Sequence, residues 1–368
     1  MKREEFMKPI KSLGRLMVAA AAMWASAAYA QSADFGGKRV EIIVPYEAGG
    51  GTDLYARYLA PFLSAKLPGN PTVIVTNVEG AGAIAGSNQF QERAKPDGLS
   101  LIAVAASVTS NYVFRDERVR YKLDTWIPII SSPAGTVVYA RPDIGPKTLG
   151  DMASLKGKQL VMGANNPSGG DMRVLLSLDL LDLDLKPIYG INRGDARPAF
   201  ERGEFNVNFD STQAYPTQVK PLIEAGEAVP LFAFGIADEN GKIVRDPTVP
   251  DLPTFVEVYR SMFGKDPEGP GFEAWRAVFN LNVMASKALA LPADTPSEIV
   301  EAYNTAMKEV LVDLRKPENV EKSDEIVGPY PQALGAQAGR ILRGAVAFDD
   351  ATFTWLQEWI AKETAGRQ

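Results

Sequence analysis

The run Pro45-Tyr46-Glu47-Ala48-Gly49-Gly50-Gly51-Thr52-Asp53 is the part of this chain best suited to chemistry. Its three glycines stand between a strand-like run, Val40 to Pro45, and a helix-like run that begins at Leu54. Glycine lets backbone N–H groups approach a ligand with no Cβ in the way. The first turn of the helix adds unpaired N–H donors and the positive end of its dipole. Together these make an anion site. A tight turn capped by Thr52 or Asp53 accounts for the same residues equally well. No Gly-Lys-Ser/Thr follows, so this is not a Walker loop, and the spacing of a dinucleotide fingerprint is absent. Two further loops repeat the pattern: Glu79-Gly80-Ala81-Gly82-Ala83, and Asn165-Asn166-Pro167-Ser168-Gly169-Gly170-Asp171. Ligands of open α/β sheets bind beyond the carboxyl ends of the strands, so the three loops can converge on one cleft.

The 368 residues include no cysteine and no histidine. Disulfides, zinc-finger sites and cysteine nucleophiles are excluded. So is every mechanism that needs an imidazole base. Carboxylates alone suit hard ions, and no spacing here matches a calcium loop. We therefore expect no cofactor and no metal. Ser168 reads as a helix cap, since nothing can activate it as a nucleophile. Asp53 reads as a favourable charge at a helix start. Arg193 is either a bidentate partner for a distal carboxylate or part of a solvated charge pattern. Trp275 and Phe279 read as core.

The elements that position these loops alternate between strand and helix. Val40 to Pro45, Thr72 to Thr76 and Leu99 to Ala105 read as strands. Leu54 to Lys66 and Ala81 to Arg93 read as helices. Pro61 is expected to kink or split the first of them. This βαβαβ order implies a parallel sheet covered by helices. A β-rich stretch follows from Trp126 to Arg141, and then the alternation restarts. Strands are expected at Gln159 to Gly163, Asn206 to Asp210, Val229 to Ile236 and Ala277 to Met284. Helices are expected at Asp171 to Leu181, Pro296 to Leu314 and Trp355 to Lys362, with loops and a short helix across Asp238 to Gly271. The expected division is a signal peptide over 1–30, lobe I over 31–136 plus 239–368, and lobe II over 137–238. Hinge crossings fall near Ser131–Val137 and Gly235–Asn240.

Five basic residues precede an apolar run from Leu16 to about Ala27 and the Ala28-Tyr29-Ala30 exit, the pattern of a cleaved secretory signal. Removing residues 1–30, with their five basic and two acidic side chains, takes the net charge from −6 to −9. An exported acidic protein without basic runs is a poor binder of nucleic acid.

Val44-Pro45-Tyr46-Glu47-Ala48-Gly49-Gly50-Gly51-Thr52-Asp53 with Ala56-Arg57 resembles the opening motif of Bug-type receptors. These are the extracytoplasmic substrate-binding proteins of tripartite tricarboxylate transporters. Asn77-Val78-Glu79-Gly80-Ala81-Gly82, Ala94-Lys95-Pro96-Asp97-Gly98, Val249-Pro250-Asp251-Leu252-Pro253-Thr254 and Leu291-Pro292-Ala293-Asp294-Thr295-Pro296 resemble later family motifs, in order. The resemblance implies an α/β, periplasmic-binding-protein-like (type II) flytrap, two lobes with a ligand cleft between them. It implies a monomeric periplasmic receptor that is not an enzyme, that captures a small carboxylate and hands it to membrane subunits of the transporter. The glycine-loop residues Tyr46, Ala48, Gly49, Gly50, Thr52, Asp53 and Gly82 are expected to hold the carboxylate, with Ser107 and Asn111 beside them. Ser168, Gly169, Tyr189, Arg193 and Asp210 are the candidates from lobe II. There the chain departs from the family, because Tyr189-Gly190 lacks the usual lysine between them. The alternatives are an exported hydrolase using carboxylates or a Ser-Lys pair, and a ligand-sensing component of a signalling system.

Overall fold

A computed structural model describes residues 33–191, 193–238 and 240–365. The expected signal peptide lies outside the described residues. The chain opens with β1 (Arg39–Val44), α1 (Gly51–Lys66), β2 (Thr72–Asn77), α2 (Ile84–Arg93), β3 (Ser100–Ala105), α3 (Ala106–Val113) and β4 (Ile127–Ser132). After the crossing come β5 (Thr136–Ala140), β6 (Leu160–Gly163), α4 (Met172–Leu180), β7 (Leu185–Ile188), α5 (Arg193–Glu201), β8 (Val207–Ser211) and β9 (Val229–Ala233). The remainder supplies α6 (Phe255–Phe263), α7 (Pro270–Phe279), β10 (Lys287–Leu291), α8 (Ser297–Leu314), β11 (Ala333–Leu334), α9 (Gly335–Val346) and α10 (Asp350–Ala365).

One lobe is built on a six-stranded sheet in the order β11-β4-β10-β3-β1-β2. Strands β2, β1 and β3 are parallel, as their helical crossovers require. Strand β10 runs antiparallel between β3 and β4, so the sheet is mixed. Side chains alternate across it. Val40, Ile42, Val44, Leu101, Ala103, Leu289 and Leu291 pack one face against α1 and α8. Ile43, Ile102, Val104, Ala288 and Ala290 pack the other with α3 and α9. The second lobe carries the antiparallel sheet β8-β5-β9 and the parallel pair β6-β7. Its core includes Val138, Met162, Leu175, Val207 and Phe232, and also Phe255, Trp275, Val278 and Trp359 from α6, α7 and α10.

Three expectations need correction. The run Ala277 to Met284 is not a strand. It is the end of α7 and a π-helical turn, Asn280–Met284, and the strand is Lys287–Leu291. An apolar run of this length suits either element, and the deciding signal was the start at Gly269-Pro270, with proline at the first helical position. Trp275 is core as expected, but on a helix, stacked on Phe255 with centroids 4.3 Å apart and donating to Ser177 Oγ at 2.7 Å. Helix α1 runs unbroken through Pro61, whose position on the exposed face leaves the freed Arg57 carbonyl to water.

Helix α6 starts in a capping box. Thr254 Oγ1 accepts from Glu257 N at 3.2 Å and Glu257 Oε2 accepts from Thr254 N at 2.7 Å. Thr254→Ala is expected to cost about 1 kcal/mol, read as a lowered urea midpoint at unchanged slope.

Candidate functional site

A cavity of about 410 Å³ opens between the two lobes. Gly51 and Leu54 of α1, with Ser286 and Lys287 at the head of β10, form one wall. Arg173 of α4, Ser211 at the end of β8, and Gln213 and Gln218 beyond it form the other. Ala134 and Gly135, in the β4–β5 crossing, close the back.

The glycine loop delivers a helix start to this space. The N-cap is Gly50, in extended backbone, and neither Thr52 nor Asp53 caps the helix as the sequence suggested. The Gly50 carbonyl accepts from Leu54 N at 2.9 Å, which leaves the N–H groups of Gly51, Thr52 and Asp53 without helical partners. A Cβ built on Gly51 would meet nothing nearer than Lys287 Nζ, at 3.9 Å. Asp53 is spent on shaping the loop. Its Oδ2 accepts from Gly49 N at 2.8 Å and Arg57 Nε at 2.9 Å, and its Oδ1 accepts from Asn77 Nδ2 at 2.9 Å. Burial pushes the Asp53 carboxyl up, but these donors outweigh it and hold it below the usual carboxylate range. Gly49 turns with φ +81°, which suits glycine alone.

Further sequence candidates gather round this loop. Val108 N donates to the Tyr46 hydroxyl at 3.4 Å, and Asn77 Nδ2 donates to the Tyr46 carbonyl at 3.0 Å. Burial pushes the Tyr46 phenol up, against opposing contacts from Val108 and Ser107. Asn111 Nδ2 donates to Gly82 O at 2.7 Å, joining the second loop to the last turn of α3. The third loop reaches the same place from the other lobe: a Cβ on Gly170 would lie 3.9 Å from Ala106 Cβ and 4.0 Å from Asn282 Oδ1. Ala48 is exposed and Thr52 buried, both outside the cavity wall.

The second-lobe candidates divide. Ser168 is not the helix cap: Asp171 holds that position, while Ser168 N donates to Asn166 Oδ1 at 3.0 Å in a local turn beside Gly169. Asp210 accepts two bonds from Arg197, at 3.1 and 2.7 Å, and one from Tyr139 Oη at 2.7 Å. Arg197 also donates to Gln218 Oε1 at 2.9 Å, so this half-buried pair orients a residue of the cavity wall. Tyr189 is half-buried, away from the wall. Arg193 opens α5, and its side chain lies outside the described residues.

Sequence reasoning missed Lys287, Arg173, Asn282, Gln213 and Gln218. Lys287 is the most unusual of them. It pairs in the sheet with Ala105 on one side and Ser132 on the other. Its Nζ lies 5.5 Å from the Tyr55 ring centroid, and no hydrogen bond or ion pair holds it among the described residues. Desolvation pushes the ammonium down to about 8. Beneath it the Tyr55 and Ser132 hydroxyls are 2.7 Å apart and buried. The signal that could have found it was a lone charge at the head of the run Ala288 to Leu291. Among the described residues no group of three or more acidic side chains is placed to hold a metal, and no helix is long and apolar enough to cross a membrane.

The fold is that of the two-lobe periplasmic binding proteins. A TctC solute-binding protein from Polaromonas superposes with a TM-score of 0.63 at 19% identity, over 88% of this chain and 99% of that one. The periplasmic binding protein BugD gives 0.56 at 20% identity, over 89% and 98%. An R. palustris protein solved with adipate gives 0.58 at 19% identity, over 90% and 99%. In sequence, the chain is 27% identical over 309 residues to a UPF0065 protein of Bordetella pertussis, covering 82% of this chain and 84% of that one. No family model matches the chain. The chain is thus a sequence relative of the UPF0065 proteins, which are the Bug family, and has the fold of the TctC- and BugD-type receptors.

Proposed function

We propose that the protein is a periplasmic receptor that captures a small organic carboxylate between its lobes. It releases the ligand unchanged to the membrane subunits of a tripartite tricarboxylate-type transporter. The observation that carries this reading is the open start of α1 at Gly51, which faces an interlobe cavity with Arg173 and Lys287 in its walls. The adipate held by the R. palustris protein of the same fold supports a carboxylate as the ligand class. Lobe closure would hinge at the β4–β5 crossing, after β9, and where the Asn280–Met284 turn leads into β10. We propose the division 31–136 plus 239–368 against 137–238 for the two lobes, with α6, α7 and α10 packed onto the second.

The energetics suit the role. Micromolar binding corresponds to about −8.2 kcal/mol. Roughly four to six charge-assisted hydrogen bonds at about 1.5–3 kcal/mol each, less the costs of association and ordering, reach that range. A Ser-Lys hydrolase is disfavoured by the same geometry. Ser132, opposite Lys287 in the sheet, is 1% exposed and already bonded to Tyr55.

The protein refolded free of carried ligand should melt higher with its carboxylate. At 100 times Kd the gain is about 2.7 kcal/mol. No shift with any mono-, di- or tricarboxylate, together with turnover of an ester or amide, would reverse the reading.

A further inference from the structure

Two polar side chains in the cleft, Lys287 half-buried and Asn282 buried, lack the partners their chemistry requires. Lys287 brings an ammonium to the start of α1 with no acidic partner bonded to it among the described residues. The strands beside it offer only Ala105 and Ser132. An unpaired cation next to the positive end of a helix is unfavourable, and becomes favourable once an anion sits between them. Asn282 is 2% exposed, lines the same cavity and donates to Val278 O at 3.2 Å, while its Oδ1 accepts nothing. Gln213 Oε1, in the opposite wall, is a second buried acceptor without a donor. A buried acceptor left unmade costs about 1–3 kcal/mol, so these two favour an occupant that brings a donor as well as a negative charge.

Resting on the receptor reading above, we infer that Lys287 takes the ligand carboxylate in a direct ion pair at the start of α1, and that Asn282 accepts from a hydroxyl on the same ligand. The substrate class is a hydroxycarboxylate. An amine could also donate to Asn282, but an ammonium would face both Lys287 and Arg173 in the cavity wall. The acidic group there, Glu325, pairs with Lys322 at 2.7 Å. Tyr55, the titratable group under Lys287, is kept neutral by burial.

The test uses the refolded full-length mature protein and matched pairs of probes that differ by one hydroxyl: propionate and lactate, succinate and malate, tricarballylate and citrate. Calorimetry should give at least about 10-fold tighter binding for the hydroxylated member of the pair that fits, the worth of one good hydrogen bond. Lys287→Met should weaken that probe by about 10- to 100-fold, and Lys287→Arg should restore much of the loss. The methionine is uncharged and of similar length, so it removes the charge without opening the sheet. Because the neutral amine cannot pair with a carboxylate, wild-type affinity should fall as pH rises above about 8, and the Lys287→Met protein should lose that dependence. Equal affinity of Lys287→Met and wild type would overturn the ion pair while leaving the receptor reading intact. Equal affinity within the binding pair would overturn the hydroxyl contact. Failure of every carboxylate to bind the wild type would instead overturn the receptor reading itself.

Discussion

Gly51→Val should lower carboxylate affinity by at least about 100-fold, the loss of one or two charge-assisted hydrogen bonds, while the melting temperature stays within about 2 °C of wild type. Gly51 is the first residue of α1, and its ordinary helical backbone accepts a side chain. A Cβ there meets no protein atom closer than Lys287 Nζ at 3.9 Å. The added side chain would therefore project into the cavity, over the N–H groups proposed to hold the anion, and leave the loop in place. Gly50→Val is a less clean choice, because its Cβ would sit 3.4 Å from the Glu47 carbonyl and press on the turn. Calorimetry and a thermal melt on the same sample decide the matter. Undiminished affinity in Gly51→Val would move the anion away from the start of α1.

Gly135→Ala should be among the most damaging single changes in the chain, costing about 4 kcal/mol or more. Gly135 lies in the short crossing between β4 and β5, where the two lobes join. Tyr330 Oη donates to Asp246 Oδ2 at 2.8 Å, accepts from Gly135 N at 3.3 Å and shares a hydrogen bond with Thr212 Oγ1. Asp246 is fully buried, and Thr248 N donates to its other oxygen at 2.9 Å. A Cβ on Gly135 would overlap Asp246 Oδ2 and lie 2.6 Å from both the Tyr330 hydroxyl and Thr212 Oγ1. The methyl group must break this network, which leaves Oδ2 of a buried carboxylate without its donor. Equilibrium unfolding in urea should show a much lower midpoint. A variant as stable as wild type would mean that the crossing yields easily and that the network does not brace the hinge.

Local signals carried much of the architecture. Short apolar runs, a helical apolar face and turn residues located β1, β2, β3 and the helices between them, because each is specified by residues close in sequence. The mixed direction of the large sheet was not legible. Strand β10 joins β3 and β4 across more than a hundred residues, and pairing at that range leaves no local trace. Misplacing one strand onto Ala277 to Met284 left Lys287 outside the expected strand, so it was not seen as the head of a central one. Asp53 shows the reverse case. Its proximity to a helix start was readable, and the structure adds that its carboxylate is occupied by Gly49, Arg57 and Asn77. Tyr46, Gly82, Ser107 and Asn111 were singled out on the loops that follow strand ends, and the structure places them round the glycine loop, outside the cavity wall. Arg173, Gln213 and Gln218 were missed because the second lobe faces the cleft with side chains scattered over α4 and the turn after β8.

The negative charge of the chain does not oppose this account, since helix starts and two buried or half-buried cations set the potential inside the cleft. The cleft is proposed to hold a carboxylate and leave it unchanged. The most direct measurement is a calorimetric titration of the refolded protein with the carboxylate panel, followed by recovery of the bound compound. One ligand per chain at micromolar affinity or better, recovered chemically unchanged, is the predicted result. Absence of binding across the panel, or recovery of a converted product, would contradict it.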